Sequence, residues 1–89
     1  MLSPEFNIVV GLSGDDDAVE VSVSGDLDPD SVGRLRAVLY GILRAGHRRV
    51  VVDLADSASV DSRAREMLDK MLKRARALGG DMVVHWQAA

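Results

Sequence analysis

The sequence predicts an α/β fold, a mixed sheet of about four strands packed against two main helices in the order β-β-α-β-α-β. Two stretches near the N-terminus alternate apolar and polar residues, two later stretches repeat apolar residues at helical spacing, and a β-branched run separates those helices. Because 89 residues provide one core, residues 1–89 are expected to form a single domain. Both βαβ connections are expected to be right-handed.

The first two strands are predicted at residues 5–12 and at about 19–24. Residues 13–17 between them read Ser-Gly-Asp-Asp-Asp, which is typical of a turn, so the pair is predicted to be a hairpin. Each strand has one better-buried face. The apolar positions on those faces are Phe6, Ile8, Val10 and Leu12 in the first strand and Val19, Val21 and Val23 in the second.

The first helix is predicted to begin at Asp28-Pro29 and to end at Gly46. Aspartate can cap the free amides of a helix, and proline at the first helical position loses no hydrogen bond. The run 50–54 that follows lacks alternation and is expected to be a central strand buried on both faces. The apolar stripe of the helix is Val32, Leu35, Val38, Leu39, Ile42 and Leu43.

A second helix is predicted from about 62 to 78, closed by Gly79-Gly80, and a last strand at 82–86. Its methionines are expected to belong to the core rather than to a binding site. The apolar stripe of this helix is Ala64, Met67, Leu68, Met71, Leu72, Ala75 and Leu78.

Composition excludes several classes of function. The absence of cysteine removes disulfide scaffolds, thiolate nucleophiles and Cys-based zinc sites. No nucleophile elbow, phosphate loop or dinucleotide-binding glycine motif occurs, so neither an enzyme nor a cofactor is predicted. No run approaches the roughly 20 apolar residues of a membrane span, and no secretory pattern opens the chain. A soluble cytoplasmic protein without membrane contact is expected.

Metal binding is not predicted either. Three carboxylates have the spacing that opens a calcium-binding EF-hand loop, but Ser31 takes the place of the required glycine and Ala37 that of the final glutamate. The two histidines are isolated and show no ligand spacing. Helix capping and solvated turns explain the carboxylates better. The residues weighed are Asp26, Asp28, Asp30, His47 and His85.

Charge is distributed unevenly along the chain. Residues 1–30 carry eight carboxylates and no Lys or Arg, whereas residues 31–89 carry all eleven basic residues and six carboxylates, within a net charge of −3. Such polarity often marks a partner surface, although acidic turns and basic helices would produce it equally. The second helix has a surplus of four positive charges, which allows nucleic-acid binding, but a solvated helix face is the favoured interpretation.

Three segments, taken together, resemble the STAS domain (sulphate transporter and anti-sigma factor antagonist). Residues 21–28, Val-Ser-Val-Ser-Gly-Asp-Leu-Asp, are similar to the family's strand ending in Gly-Glu-Leu-Asp before its first helix. Residues 50–54 are similar to its central strand ending in Asp-Leu. Residues 60–68 stand where the family has Asp-Ser-Ser-Gly-Leu opening its second helix. The resemblance spans about residues 19 to 86 and implies a STAS-like fold.

In that family, the second serine of Asp-Ser-Ser-Gly-Leu accepts a phosphate, and only the unmodified form binds the anti-sigma factor. Here the position is Arg63, which has no hydroxyl and carries a charge opposite in sign to phosphate. The family's glycine and leucine are replaced by Ala64 and Arg65. The resemblance therefore implies a non-enzymatic module of bacterial transcription regulation that binds an anti-sigma factor or another regulatory protein without this phosphorylation switch.

The resemblance places the contact surface on the Asp26-Pro29 segment, the 55–61 loop and the first turn of the second helix. Either Asp61 or Ser62 is expected to cap that helix. Ser62 is also a candidate for a displaced phosphoacceptor, although a buried or capping hydroxyl is the favoured role. The expected partner-binding residues are Asp26, Asp28, Asp56, Ser59, Asp61, Ser62, Arg63, Arg65 and Glu66.

Two other interpretations stay open. A STAS-type subunit of a signalling or lipid-transport assembly would use the same fold, and a weak nucleic-acid binder would use the basic helix 62–78. Family members usually continue with a further strand and helix, which are expected to be absent here. An edge left exposed would favour pairing with a partner or a second copy, so a homodimer is also a candidate.

Overall fold

The computed structural model describes residues 6–12, 18–57 and 59–86. Its elements follow the order β-β-α-β-α-β that the sequence predicts. The hairpin turn expected at 13–17 lies outside the described residues. The strands are β1 (Asn7–Leu12), β2 (Val19–Ser24), β3 (Arg49–Asp56) and β4 (Asp81–His85), and the helices are α1 (Pro29–Arg44) and α2 (Ser62–Ala77).

The four strands form one mixed sheet in the order β1-β2-β3-β4. Strand β1 runs antiparallel to β2, with Val10 opposite Val21. Strands β2, β3 and β4 are parallel, and Val21, Val52 and Val84 are aligned across them. This arrangement confirms the predicted fold class.

Both helices lie on the same face of this sheet. On β2, the buried residues alternate with exposed Glu20 and Ser22, and the two helices pack against each other. Right-handed connections that step across the sheet in one direction place their helices on one side. The expectation that β3 is buried on both faces is therefore wrong. Val51 and Asp53 are only half-buried, whereas alternate β3 residues Val50, Val52 and Leu54 are buried.

The core fills the space between this sheet face and the helices. Its largest fully buried side chains come from both layers, and a one-sided apolar stripe on each helix supplies the helical share. In the described part of the chain, neither helix has the length and apolar content that a membrane crossing requires. The fully buried large residues are Val21, Val23, Leu27, Leu35, Leu39, Val50, Val52, Leu54 and Leu68.

Candidate functional site

Backbone hydrogen bonds fasten the segment before α2 to the turn between β2 and α1. The Leu27 N–H donates to the Ser59 carbonyl oxygen at 2.9 Å, and the Asp61 N–H donates to the Leu27 carbonyl oxygen at 3.0 Å. Leu27 and Val60 pair as a short parallel bridge, and the Leu27 side chain is fully buried. Two segments that the sequence assigns to one contact surface thus lie side by side. We call residues 26–29, 59–61 and 62–66 the rim.

Helix α2 begins at the rim with Asp61 as its N-cap. The Asp61 Oδ1 accepts a hydrogen bond from the Arg63 N–H at 2.8 Å, and its carbonyl oxygen accepts one from the Ala64 N–H at 2.9 Å. Asp61 has the extended backbone typical of this position. Ser62 is exposed at the first helical position. The capping role therefore belongs to Asp61, and Ser62 is neither the cap nor buried.

Two polar side chains join the halves of the rim. The Ser59 hydroxyl donates to Asp26 Oδ1 at 3.3 Å, and both residues are exposed. The Asp26 carbonyl oxygen accepts a hydrogen bond from the Ser31 hydroxyl at 2.8 Å, which ties the rim to the first turn of α1. Gly25 precedes this segment with φ of +85°, a conformation that glycine adopts without strain. The rim therefore carries mostly exposed polar side chains on a backbone that hydrogen bonds hold in place.

Asp28 caps α1, as the sequence predicts. Its Oδ1 accepts from the Ser31 N–H at 2.9 Å, and its own N–H donates to the Ser31 hydroxyl oxygen at 2.9 Å. These two bonds form a capping box in which serine stands where glutamate is usual. The backbone hydrogen bond from Ser31, followed by the bond from its hydroxyl, holds the pKa of Asp28 below its ordinary value. Asp28 therefore presents a carboxylate on the rim at neutral pH.

Asp56 stands apart from these contacts. It is the exposed last residue of β3 and is aligned with Ser24 of β2. The next residue, Ser57, is buried, and its hydroxyl donates to the Val23 carbonyl oxygen at 3.4 Å. Ser57 is thus buried, whereas Asp56 and Ser59 are exposed. The structure places Asp56 at the strand end, outside the rim.

The two arginines of the first α2 turn point to opposite sides of the helix. Arg63 and Glu66 line a groove between α1 and α2, whereas Arg65 faces β4. There the Arg65 guanidinium carbon lies 4.9 Å from the ring centroid of Trp86, within the range of a cation–π contact. Residues two apart on a helix do not share a face. The contact surface expected as one patch is therefore divided by α2 into two.

The groove contains functional candidates that the sequence analysis missed. Tyr40 of α1 has two guanidinium carbons near its ring, that of Arg74 at 5.1 Å and that of Arg44 at 5.9 Å from the ring centroid. The Arg74 Nη2 also donates to the Tyr40 hydroxyl at 3.4 Å. The signal available in the sequence was the spacing of Arg36, Tyr40 and Arg44, four residues apart along one helix face.

The chemistry that this arrangement offers is non-covalent recognition. Among residues 6–12, 18–57 and 59–86, no three His, Cys, Asp or Glu side chains come together as metal ligands. The rim presents carboxylates and hydroxyls, and the neighbouring groove presents cations around an apolar floor. Such mixed surfaces suit contact with another macromolecule.

Comparison with known proteins identifies the family. A family model described as "Mlab, STAS domain" matches residues 10–87. The chain belongs to the STAS domain family. At the family level it is a protein-interaction module. Among proteins with curated descriptions, none matches the chain significantly.

Solved structures of other proteins share this fold. The antisigma-factor antagonist STAS domain from Rhodobacter sphaeroides is 24% identical, with a TM-score of 0.70 over 90% of this chain and 85% of that one. The unphosphorylated anti-sigma factor antagonist SpoIIAA is 13% identical, with a TM-score of 0.72 over 93% and 88%. Mglu is 26% identical, with a TM-score of 0.72 over 85% of this chain. The STAS chain described here spans 18% of the length of Mglu.

Proposed function

We propose that this STAS domain is a non-enzymatic antagonist-type module that binds an anti-sigma factor or a related regulatory protein in the bacterial cytoplasm. The observation that carries the proposal is the rim. Its backbone is fixed by the Leu27–Ser59 and Asp61–Leu27 hydrogen bonds, while its polar side chains, apart from half-buried Asp61, are exposed. A fixed backbone with exposed side chains is suited to recognition because little order has to be gained on binding. The resemblance to anti-sigma factor antagonists supports a regulatory protein as the partner.

The proposal includes a contact that is not controlled by phosphate at position 63. Arg63 has no hydroxyl to modify, and its side chain turns toward the groove while its N–H is held by Asp61. A cation in the first turn of a helix is disfavoured by the helix dipole by about 0.3–1 kcal/mol when exposed. Helix α2 carries two arginines there and no acidic residue. This supports a role for these charges outside the stability of the fold.

The phosphorylation part is tested with the cognate anti-sigma kinase and ATP, followed by mass spectrometry of the intact chain and its peptides. We expect no phosphate on the wild type and phosphate on the Arg63→Ser variant, which restores an acceptor at the same backbone position. The variant shows that the kinase is active and recognises the rim. Phosphate on Ser62, Ser59 or another rim hydroxyl of the wild type would overturn this part of the proposal.

The partner contact is tested by affinity measurement with the same regulator. We expect Asp26→Lys to weaken binding at least about tenfold, because an exposed rim carboxylate is replaced by the opposite charge. Asp69→Lys is the matched control, since it makes the same change on an exposed residue of α2 outside the rim. Equal weakening by both variants would show that net charge, and not the rim, determines binding.

A second candidate is a STAS subunit of a larger assembly, and the exposed sheet edges favour it. On the outer strands, Val9, Val10 and Leu12 of β1 and Val83 of β4 are all exposed, and Leu12 reaches 75%. Edge strands with exposed apolar residues are ready to pair or to be covered. Stable co-purification with a non-kinase protein in fixed stoichiometry would support this candidate. Analytical ultracentrifugation of the chain alone tests the candidate homodimer.

A further inference from the structure

A groove runs between α1 and α2 on the side of the protein away from the sheet. One wall is a row of α1 residues four apart, from Val32 to Tyr40, and the other runs along α2 from Arg63 to Arg74. With a rise of 1.5 Å per residue, these walls are about 12 and 16 Å long. Its volume is about 470 Å³. The groove can therefore take two to three turns of a helix or a short extended segment. Its lining is Val32, Arg36, Tyr40, Arg63, Glu66, Met67, Lys70, Met71 and Arg74.

The groove is strongly cationic and has an apolar floor. Four of its side chains are basic and one is acidic. Met67 and Met71 are 8% and 6% exposed, so they form the floor rather than the walls. The ion pairs recorded along the described length of α2 join Lys73 to Asp69 at 3.1 Å and Arg76 to Asp81 at 3.2 Å. None of those four residues lines the groove, so Glu66 is the one carboxylate in the described lining beside its four cations.

One end of the groove is already ordered. The Arg74 guanidinium lies over the Tyr40 ring and donates to the Tyr40 hydroxyl. A guanidinium has five N–H donors in a planar fork, and this contact uses one of them. The remaining donors can bind a carboxylate in the bidentate manner that arginine favours. Holding the side chain in advance reduces the entropy that binding must overcome.

We propose that this groove binds an acidic amphipathic segment of a partner protein. Carboxylates of the segment would contact Arg36, Lys70 and Arg74, and its apolar residues would pack on Met67 and Met71, as amphipathic helices do in hydrophobic grooves. The inference deepens the proposed function and rests on it, because it names the chemistry of the partner. A nucleic-acid backbone would use the cations but would leave the apolar methionine floor without a partner.

The test selects binders from a library of random 12-residue displayed peptides on the immobilised chain. We expect enriched peptides to carry Asp or Glu with Leu, Ile or Phe at helical spacing. Their affinity, measured by fluorescence anisotropy of synthetic copies, is expected to fall at least about tenfold in the Arg36→Glu/Lys70→Glu variant. The matched control, Lys73→Glu/Arg76→Glu, reverses two charges of the same region outside the groove and is expected to change affinity less than threefold.

A milder pair, Arg36→Gln/Lys70→Gln, removes the charges without reversing them and keeps the test decisive if the first variant does not fold. Failure to enrich acidic peptides would overturn the inference, and so would peptides that bind the groove variants as tightly as the wild type. Tighter binding of a labelled 20-base-pair duplex at the same residues would assign the groove to nucleic acid instead. No cellular regulator is used, so these failures leave the rim experiments to decide the proposed function separately.

Discussion

Replacing Gly80 by alanine tests how closely the chain packs where α2 passes into β4. Gly80 donates its N–H to the Ala75 carbonyl oxygen at 2.9 Å, and the next residue, Asp81, donates to the Arg48 carbonyl oxygen at 2.7 Å. A Cβ at position 80 would lie 2.9 Å from both the carbonyl carbon and the Cα of Arg48, and closer still to the Arg48 carbonyl oxygen. These atoms are backbone, so no side-chain rotation relieves the contact.

The expected cost follows from those contacts. Forcing a methyl group into an occupied site costs about 1–3 kcal/mol. The shift needed also weakens the hydrogen bond between Asp81 and Arg48, and a bond of this kind contributes about 0.5–1.5 kcal/mol. We expect Gly80→Ala to lower the free energy of unfolding by about 2–4 kcal/mol. For a domain of this size, each 1 kcal/mol shifts Tm by about 4–8 °C, so a loss of at least about 8 °C is expected.

The same substitution in α1 provides the control. Beyond the chain neighbours and the adjacent helix backbone, a Cβ at Gly33 or Gly41 would have no described atom within 4 Å, and both residues lie inside the helix. Alanine is favoured over glycine in a helix interior by about 0.8–1.0 kcal/mol, so Gly33→Ala and Gly41→Ala should each raise stability. Urea unfolding followed by circular dichroism measures all three variants. A Gly80→Ala protein within about 0.5 kcal/mol of the wild type would refute the close approach to Arg48.

Three further predictions concern the rim and its neighbours. Leu27→Ala should cost about 2–5 kcal/mol in urea unfolding because Leu27 is fully buried, whereas Leu78→Ala, at a residue 60% exposed, should cost less than about 0.5 kcal/mol. The lowered pKa of Asp28 stabilises the fold above the ordinary value of 3.8, and this contribution is lost as pH falls through the lower folded pKa. The Tm advantage of wild type over Asp28→Asn should therefore shrink as pH falls from 4 toward 2, and a constant difference would contradict the assignment. Arg65→Ala should increase acrylamide quenching of the only tryptophan, and unchanged quenching would argue against the stacked arginine.

Much of the fold could be predicted because its signals are local. Asp28-Pro29 and Asp61 mark helix starts through their own hydrogen-bonding capacity, and the apolar stripes follow from helical periodicity. The structure starts α1 at Pro29 and α2 at Ser62, where the sequence predicts them. Element order and crossover hand then leave few ways to arrange the sheet. Such signals can be interpreted within one helix or strand, without knowing which other elements pack against it.

Burial of the far face of β3 could not be predicted from its residues alone. Three consecutive valines favour a strand but do not show how many helix layers cover it. Whether helices cover one face of β3 or both depends on the strand order. Because the β2-α1-β3 and β3-α2-β4 connections step across the sheet in the same direction, both helices lie on the same face. The half-buried Val51 is a consequence of that topology.

The sequence alone also could not predict that Arg63 and Arg65 lie on different sides of α2. Arg63 and Arg65 are two residues apart in the chain, and the resemblance assigns both to one surface. Their separation depends on the rotation of α2 about its axis, which is set by Ala64, Met67 and Leu68 packing in the core. The groove could not be predicted for the same reason, because Tyr40 of α1 and Arg74 of α2 come into contact only when the two helices pack together.

The rotation of α2 also shows how the fold accommodates an arginine at position 63. The backbone N–H of Arg63 satisfies the Asp61 cap, and that bond does not depend on the side chain. The side chain is exposed and turns toward the groove, where three other cations already lie. If the proposed function holds, partner binding at this surface responds to ionic strength instead of to a kinase, because a permanent charge takes the place of a reversible one. Rising salt should then weaken the wild type more than Arg63→Ser, and equal salt dependence would remove Arg63 from the contact.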